Sequence, residues 1–159
     1  MPVQVAVCGP RHCTPEDERN ARRVGELLAE QGAIVICGGG IGVMAAVAAG
    51  VQARGGIVIG IRPNDTREGA SLDLTATIVT NLGEARNAVI VWSANAIIAI
   101  GGSWGTLSEI ALAMRKGDVP VITLGGWSIV DGDGAAVEGP RIAESPENAV
   151  ESAILLATA

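Results

Sequence analysis

Short unbroken apolar blocks alternate along the chain with longer stretches that mix apolar and charged residues. The blocks Val3–Cys8, Ala33–Cys37, Ile57–Ile61, Ala76–Val79, Ile97–Ile100 and Pro120–Leu124 predict six strands. The stretches between them read as helices. Thr14 is placed to cap the first, with Pro15 at its opening position and Glu16, Asp17 and Glu18 in its positive first turn. Val24, Leu27 and Leu28 give that helix one apolar stripe, and Gly32 closes it. A second helix, from about Val43 to Ala53, is apolar all round, which predicts burial on more than one side. A third runs from Glu84 to about Ala94. Its segment Ala88–Trp92 is wholly apolar and must face two ways, toward the sheet and toward a second cover. That cover is either the rest of the domain or another subunit. Leu107–Arg115 predicts a fourth helix. Gly125–Pro140 reads as a loop or hairpin, and Ser145 with Pro146 starts a last helix bearing Val150, Ala153, Ile154 and Ala157 on one face. Strict alternation of this kind predicts an α/β fold: a Rossmann-like, three-layer α/β/α arrangement on a mostly parallel sheet, in a single domain over residues 1–159.

Glycine interrupts the pattern where strands end. In IIAIGGSWGTLSE, Ile97–Glu109, a buried strand gives way to Gly101, Gly102 and Gly105, with Ser103 and Thr106 between and after them. Strand, glycine turn and helix start aim free backbone N–H groups and the positive end of a helix dipole at one point, which suits a phosphate. Gly9, Pro10 and Arg11 follow the first strand, and Gly38, Gly39, Gly40 and Gly42 follow the second. All three breaks fall at carboxyl ends of strands, the edge where doubly wound sheets bind ligands. We therefore expect one nucleotide-sized or phosphorylated ligand to lie across them. Gly102, Ser103, Gly105 and Thr106 would hold the phosphate, Gly39, Gly40 and Gly42 would allow close backbone approach, and Cys8–Arg11 would form the opposite wall. Neither GxGxxG after the first strand nor GxxxxGK[ST] occurs, so standard dinucleotide binding and P-loop hydrolysis are not expected.

Composition narrows the partners. The 159 residues are 48% apolar, with net charge −6 and a single lysine, Lys116. There is no Tyr or Phe. Broad attraction to nucleic acid and an aromatic base-stacking platform are both unexpected. No apolar run is long enough to span a membrane and no basic leader precedes the first strand, so a cytoplasmic location is expected. Cys8, Cys13 and Cys37 form no CxxC, which argues against a disulfide framework or zinc cluster. Asp131–Gly134, DGDG, lacks the later glutamate of a calcium loop and reads as a turn. No metal ligand set is expected.

Two charged residues complete the candidate site. Arg86 opens the apolar helix leading into the fifth strand, and Glu109 lies one turn past Gly105 on the helix leaving it. If both point to the carboxyl edge, a cation and a carboxylate flank one pocket, able to bind a phosphate and act at an adjacent carbon.

These residues have a familiar arrangement. GGSWGTLSE resembles the PGGxGTxxE signature of the Lonely Guy family, within the lysine-decarboxylase-like, Rossmann-like SLOG superfamily. Ungapped alignment places Glu109 on the motif's glutamate and Arg86 on the family's functional arginine. CGGGIGVMAAVAAG resembles its second glycine turn, and GGIVIGIRP its third strand and exit loop. The resemblance implies a Rossmann-like fold, usually dimeric or a higher homo-oligomer. It also implies hydrolysis of the base–ribose bond of nucleoside 5′-monophosphates such as AMP or cytokinin ribosides, with Arg86 and Glu109 as the catalytic pair. Several positions depart from the pattern. Gly101 replaces the motif's proline, Ser103 a glycine, Asn87 the lysine after the arginine, and Gly83 a methionine. The motif variant is closer to a sister branch containing the molybdenum-cofactor carrier proteins, which implies a bound molybdopterin-type cofactor and no known reaction. Two functions thus stand open, a phospholigand carrier and an N-glycoside hydrolase. Asn87, which leaves the site one cation short, favours the first.

Overall fold

The computed structural model describes residues 1–159. Seven strands form one sheet: β1 (Gln4–Cys8), β2 (Ile34–Cys37), β3 (Ile57–Arg62), β4 (Ala76–Val79), β5 (Ala96–Ile100), β6 (Val121–Leu124) and β7 (Arg141–Ala143). They lie in the order β4-β3-β2-β1-β5-β6-β7, and every pairing is parallel. The sheet thus grows outward in both directions from β1. The reversal falls between β1 and β5, where Ala6 is in register with Ile97 and Cys8 with Ala99. Helices cannot cover the carboxyl ends of strands at such a reversal, so a crevice opens there. The three glycine turns follow β2, β1 and β5, which are immediate neighbours.

Five helices cover the two faces. They are α1 (Pro15–Glu30), α2 (Val43–Ala53), α3 (Arg86–Trp92), α4 (Trp104–Lys116) and α5 (Pro146–Ala157). Alternation along the strands sorts the core into two layers. Val5, Val7, Val35, Ile98, Ile100 and Ile122 pack against α1, α2 and α5. Ala6, Cys8, Ile36, Ile97 and Val121 pack against α3 and α4. The apolar girth of α2 is explained by its place between the sheet and α1. Gly50 is where those two helices close, because a Cβ there would overlap the Arg22 carbonyl. The helix starts follow their caps. Thr14 and Asp17 form a reciprocal capping box on α1, and Ser145 accepts from the Asn148 amide at the head of α5. No helix is long and apolar enough to cross a membrane.

Several boundaries shift by one or two residues from those the pattern predicts, and one strand and two helix starts differ for physical reasons. The seventh strand, β7, is only three residues of sheet edge after Pro140, with Ala143 alone buried, too short to carry a periodic signal. The third helix begins at Arg86 rather than Glu84, because Gly83–Ala85 forms a 3-10 turn. The fourth helix begins at Trp104 rather than Leu107. Ser103 caps it by accepting from the Thr106 amide, so Gly105 is part of its first turn. Gly125–Pro140 contains a small hairpin, with Val130 bridged to Ala136 and the Asp131 carboxylate accepting from the amides of Asp133 and Ala135.

Candidate functional site

The turns after β1 and β5 and the start of the β2 turn border one cavity of about 450 Å³. Gly9, Pro10 and Arg11 form one wall, Gly102, Ser103, Gly105 and Thr106 the other, and Gly38 and Met44 close one side. Arg86, Asn87 and Glu109 lie on its wall as well. Gly39, Gly40 and Gly42 do not border the cavity; they back it. Gly42 is the position where glycine is most needed. Its φ is +70°, and a Cβ would overlap the carbonyl oxygens of Pro10 and Arg11.

The first turn of α4 is the strongest electrostatic feature of this cavity. The amides of Gly102, Ser103, Trp104 and Gly105 donate to no protein carbonyl. The Gly101 amide is spent on Leu124 O at 3.2 Å, and the Thr106 amide on Ser103 Oγ at 3.2 Å. Thr106 is buried and its hydroxyl lies 3.0 Å from Ser103 Oγ, so it braces the cap from inside. A Cβ on Gly105 would meet nothing nearer than Ser103 Oγ at 3.8 Å. The space above Gly105 is open, and four N–H groups share the positive end of a thirteen-residue helix.

Arg86 is half-buried and heavily committed. Its Nη1 donates to Gly38 O at 2.8 Å and Ile61 O at 2.6 Å, and its Nε to Asn87 Oδ1 at 2.9 Å. The guanidinium therefore ties the ends of β2 and β3 to α3, and a Cβ on Gly38 would lie 2.6 Å from its Nη1. Asn87, buried, passes the connection on by donating to Ser108 Oγ at 2.9 Å.

Glu109 is only 8% exposed. Burial raises its carboxyl from the ordinary 4.5 to about 7; a hydrogen bond from the Cys8 thiol and the charge of Arg86 pull the other way. The same surroundings push the Cys8 thiol well up, burial first and the Glu109 charge second. Near neutral pH Glu109 can therefore hold or release a proton at the cavity wall. Cys13 lies outside this cavity, whereas His12 reaches its mouth.

Some bordering residues carry no sequence signal of a role. Trp104, 79% exposed, stands at the rim and packs edge-on against Trp127, with ring centroids 5.0 Å apart. Both are isolated aromatics in the sequence, and only folding brings them together. A larger cleft of about 710 Å³ lies beyond Gly101 and Gly102, bordered by Glu16, Asp17 and Glu144. Its carboxylates disfavour an anion, whereas the smaller cavity presents the free amides of the α4 start.

A parallel sheet with a crevice at the reversal, a glycine-rich helix start, and a half-buried Arg86 and buried Glu109 on one cavity wall together define a Rossmann-like α/β fold. The chain belongs to the SLOG cluster4 family, which it matches over residues 2–151. An uncharacterized protein of Archaeoglobus fulgidus is 40% identical over 96% of this chain and 95% of its own length. The cytokinin riboside 5′-monophosphate phosphoribohydrolase of Mycobacterium marinum is 32% identical over 79% of this chain and 71% of its own. Among solved structures, the molybdenum cofactor binding protein of Rippkaea orientalis superposes with a TM-score of 0.85 at 34% identity, covering 96% of this chain and 95% of that one. The chain is thus similar both to a molybdenum cofactor binding protein and to a cytokinin riboside 5′-monophosphate phosphoribohydrolase.

Proposed function

We propose that this chain binds a phosphorylated, nucleotide-sized ligand of the molybdenum-cofactor type in the cavity between β1 and β5, and releases it unchanged. The observation that carries this reading is the contrast between its donors. Four amides at the head of α4 are free, while the Arg86 guanidinium is bound to backbone carbonyls and Asn87 stands where a second cation would be. Gly102, Ser103 and Gly105 would hold the phosphate, with Thr106 bracing the cap. Gly9–Arg11 and Met44 would flank the ring system, for which a cavity of about 450 Å³ has room. The likeness to the Rippkaea orientalis protein supports the ligand class.

One observation favours a second reading. A buried carboxyl held near 7 beside a phosphate cradle is the equipment of a general acid or base. In that reading Glu109 stabilises an oxocarbenium-like ribose and positions water, as the likeness to the Mycobacterium marinum enzyme suggests. Incubation with AMP and with isopentenyl-AMP separates the two. No free base, together with a phosphorylated pterin detected by mass spectrometry after release from the native protein, is the expected result. Base released by the parent chain and lost in Glu109→Gln would overturn the carrier reading.

We also read the α3–α4 face as a self-association surface. Trp92 and Met114 are exposed there, and Ala88 and Val89 are only half-covered by the chain itself.

A further inference from the structure

Arg62 ends β3 and plays no part in the cavity described above. It is 6% exposed, and its Nε is the single buried side-chain nitrogen or oxygen with no hydrogen-bond partner. Its Nη2 donates to Glu68 O at 2.9 Å. Its Nη1 meets no acceptor within the chain and, unlike Nε, is open to solvent, and no carboxylate pairs with the guanidinium. Arg22, Arg23 and Arg54, by contrast, all pair with glutamates. Burial and the nearby charges of Arg86 and Arg11 lower the Arg62 pKa, so its surroundings add cost and no compensation. A buried cation with one hydrogen bond and no counter-ion is expensive to keep. Selection tolerates such a group where the missing anion comes from outside the chain.

The place of this arginine says where that anion would sit. Arg62 Nη1 lies 3.3 Å from the point a Cβ on Gly40 would occupy, and its Cδ lies 3.1 Å from the same point on Gly39. The guanidinium therefore rests against the turn that opens α2, an eleven-residue helix whose N-cap, Gly42, offers no side-chain cap. The amides of Gly40, Ile41 and Gly42 donate to no backbone carbonyl. A bare helix start and an orphaned cation thus meet at one turn. That turn adjoins the cavity on the far side of Met44, whose Sδ and Cε pack under Gly38 and Gly40. It is distinct from the cradle on α4.

We propose that Gly40–Gly42 and Arg62 form a second anion subsite, so that the ligand carries two separate negative groups, one for each helix start. This rests on the reading of the α4 turn as a phosphate cradle. A nucleoside monophosphate would leave Arg62 unanswered. A phosphorylated ligand with a distal oxyanion would satisfy both ends, whether that group is an oxometal centre or a second phosphate.

Tungstate, a heavy tetrahedral oxyanion, is the direct probe, located by anomalous diffraction from crystals of the full chain and titrated calorimetrically in solution. Two positions per chain are expected, one at Gly102–Gly105 and one at Gly40–Gly42. In Arg62→Met the second is lost, or weakened about tenfold or more, while the first persists. Arg62→Met should also raise the Tm in oxyanion-free buffer, because it removes an uncompensated buried charge. Tungstate retained at Gly40–Gly42 in the variant, or no tungstate there in the parent chain, overturns the proposal. So does a lower Tm, which would make Arg62 a strut for the loop at Glu68. Tungstate at Gly40–Gly42 but not at Gly102–Gly105 would instead refute the α4 cradle and leave the second subsite standing. Comparison of ADP with molybdate then identifies the source of the distal group. Arg62→Met weakens ADP if that group is a phosphate, and molybdate alone if it is an oxometal centre. Equal binding of both probes by variant and parent counts against the subsite.

Discussion

Replacing Glu109 by glutamine tests the site through stability, without any ligand. The two side chains have nearly the same shape, and glutamine can still accept from the Cys8 thiol, so packing is preserved. The ionisable proton is lost, and an NH2 group replaces one carboxyl oxygen. The native carboxyl is held at about 7, whereas in the unfolded chain it returns to 4.5. Below 4.5 the carboxyl is protonated in both states and costs nothing. As pH rises from 4.5 to 7 the unfolded chain loses the proton and the native chain keeps it, so native stability falls. Above 7 both states are ionised, and the full cost of a buried charge remains. At about 1.4 kcal/mol per pH unit, the cost reaches roughly 3 kcal/mol. Glu109→Gln should match the parent chain at pH 4 and exceed it by that amount at pH 8. For a chain of this size the gain at pH 8 corresponds to about 6 to 12 °C in Tm. Urea unfolding at a series of pH values reads the difference directly. A constant difference across the series would mean that the carboxyl is not held high. A variant less stable than the parent at pH 8 would mean that the charge is compensated by Arg86 after all.

Two substitutions separate function from folding. Gly105→Ala adds a methyl group to open space in a helix, so stability should hold or rise by up to about 1 kcal/mol. The same methyl group projects into the cradle, and affinity for AMP by calorimetry should fall by about tenfold or more; unchanged affinity would mean that the phosphate sits elsewhere. Trp92→Glu places a charge on the α3–α4 face, where Trp92 is 57% exposed. Sedimentation velocity should show an oligomer in the parent chain and a monomer in the variant, and a monomeric parent would contradict the proposed surface.

Most of the fold was legible because periodicity carries it. Buried parallel strands such as Ile97–Ile100 and Val3–Cys8 are continuous apolar blocks, and caps such as Thr14–Pro15 and Ser145–Pro146 mark helix starts chemically. What escaped depends on distance along the chain. β7 is held by pairing with β6 rather than by any pattern of its own. The start of α4 was hidden because glycine and tryptophan score poorly as helix formers, yet Ser103 caps it four residues before the apolar periodicity begins. At the site, the glycine turns and the Arg86–Glu109 spacing pointed to residues that the fold brings to one cavity, with Gly39, Gly40 and Gly42 left outside its lining. Nothing local could show that Arg86 spends its donors on Gly38 and Ile61, or that Thr106 braces the cap instead of offering its amide. Arg62 was the least legible: in sequence it is one polar residue at a strand end, and its isolation exists only in three dimensions.

Backbone amides of the intact protein, followed by ¹⁵N–¹H NMR during titration with AMP, report most directly on whether the neighbouring turns make one receptor for negative charge. The account predicts the largest shifts at Gly102, Ser103, Trp104 and Gly105, accompanied by smaller ones at Gly9 and Arg11 across the cavity. Shifts confined to Gly125 and Gly126 in the acidic cleft, or an α4 start that does not respond at saturation, would contradict it.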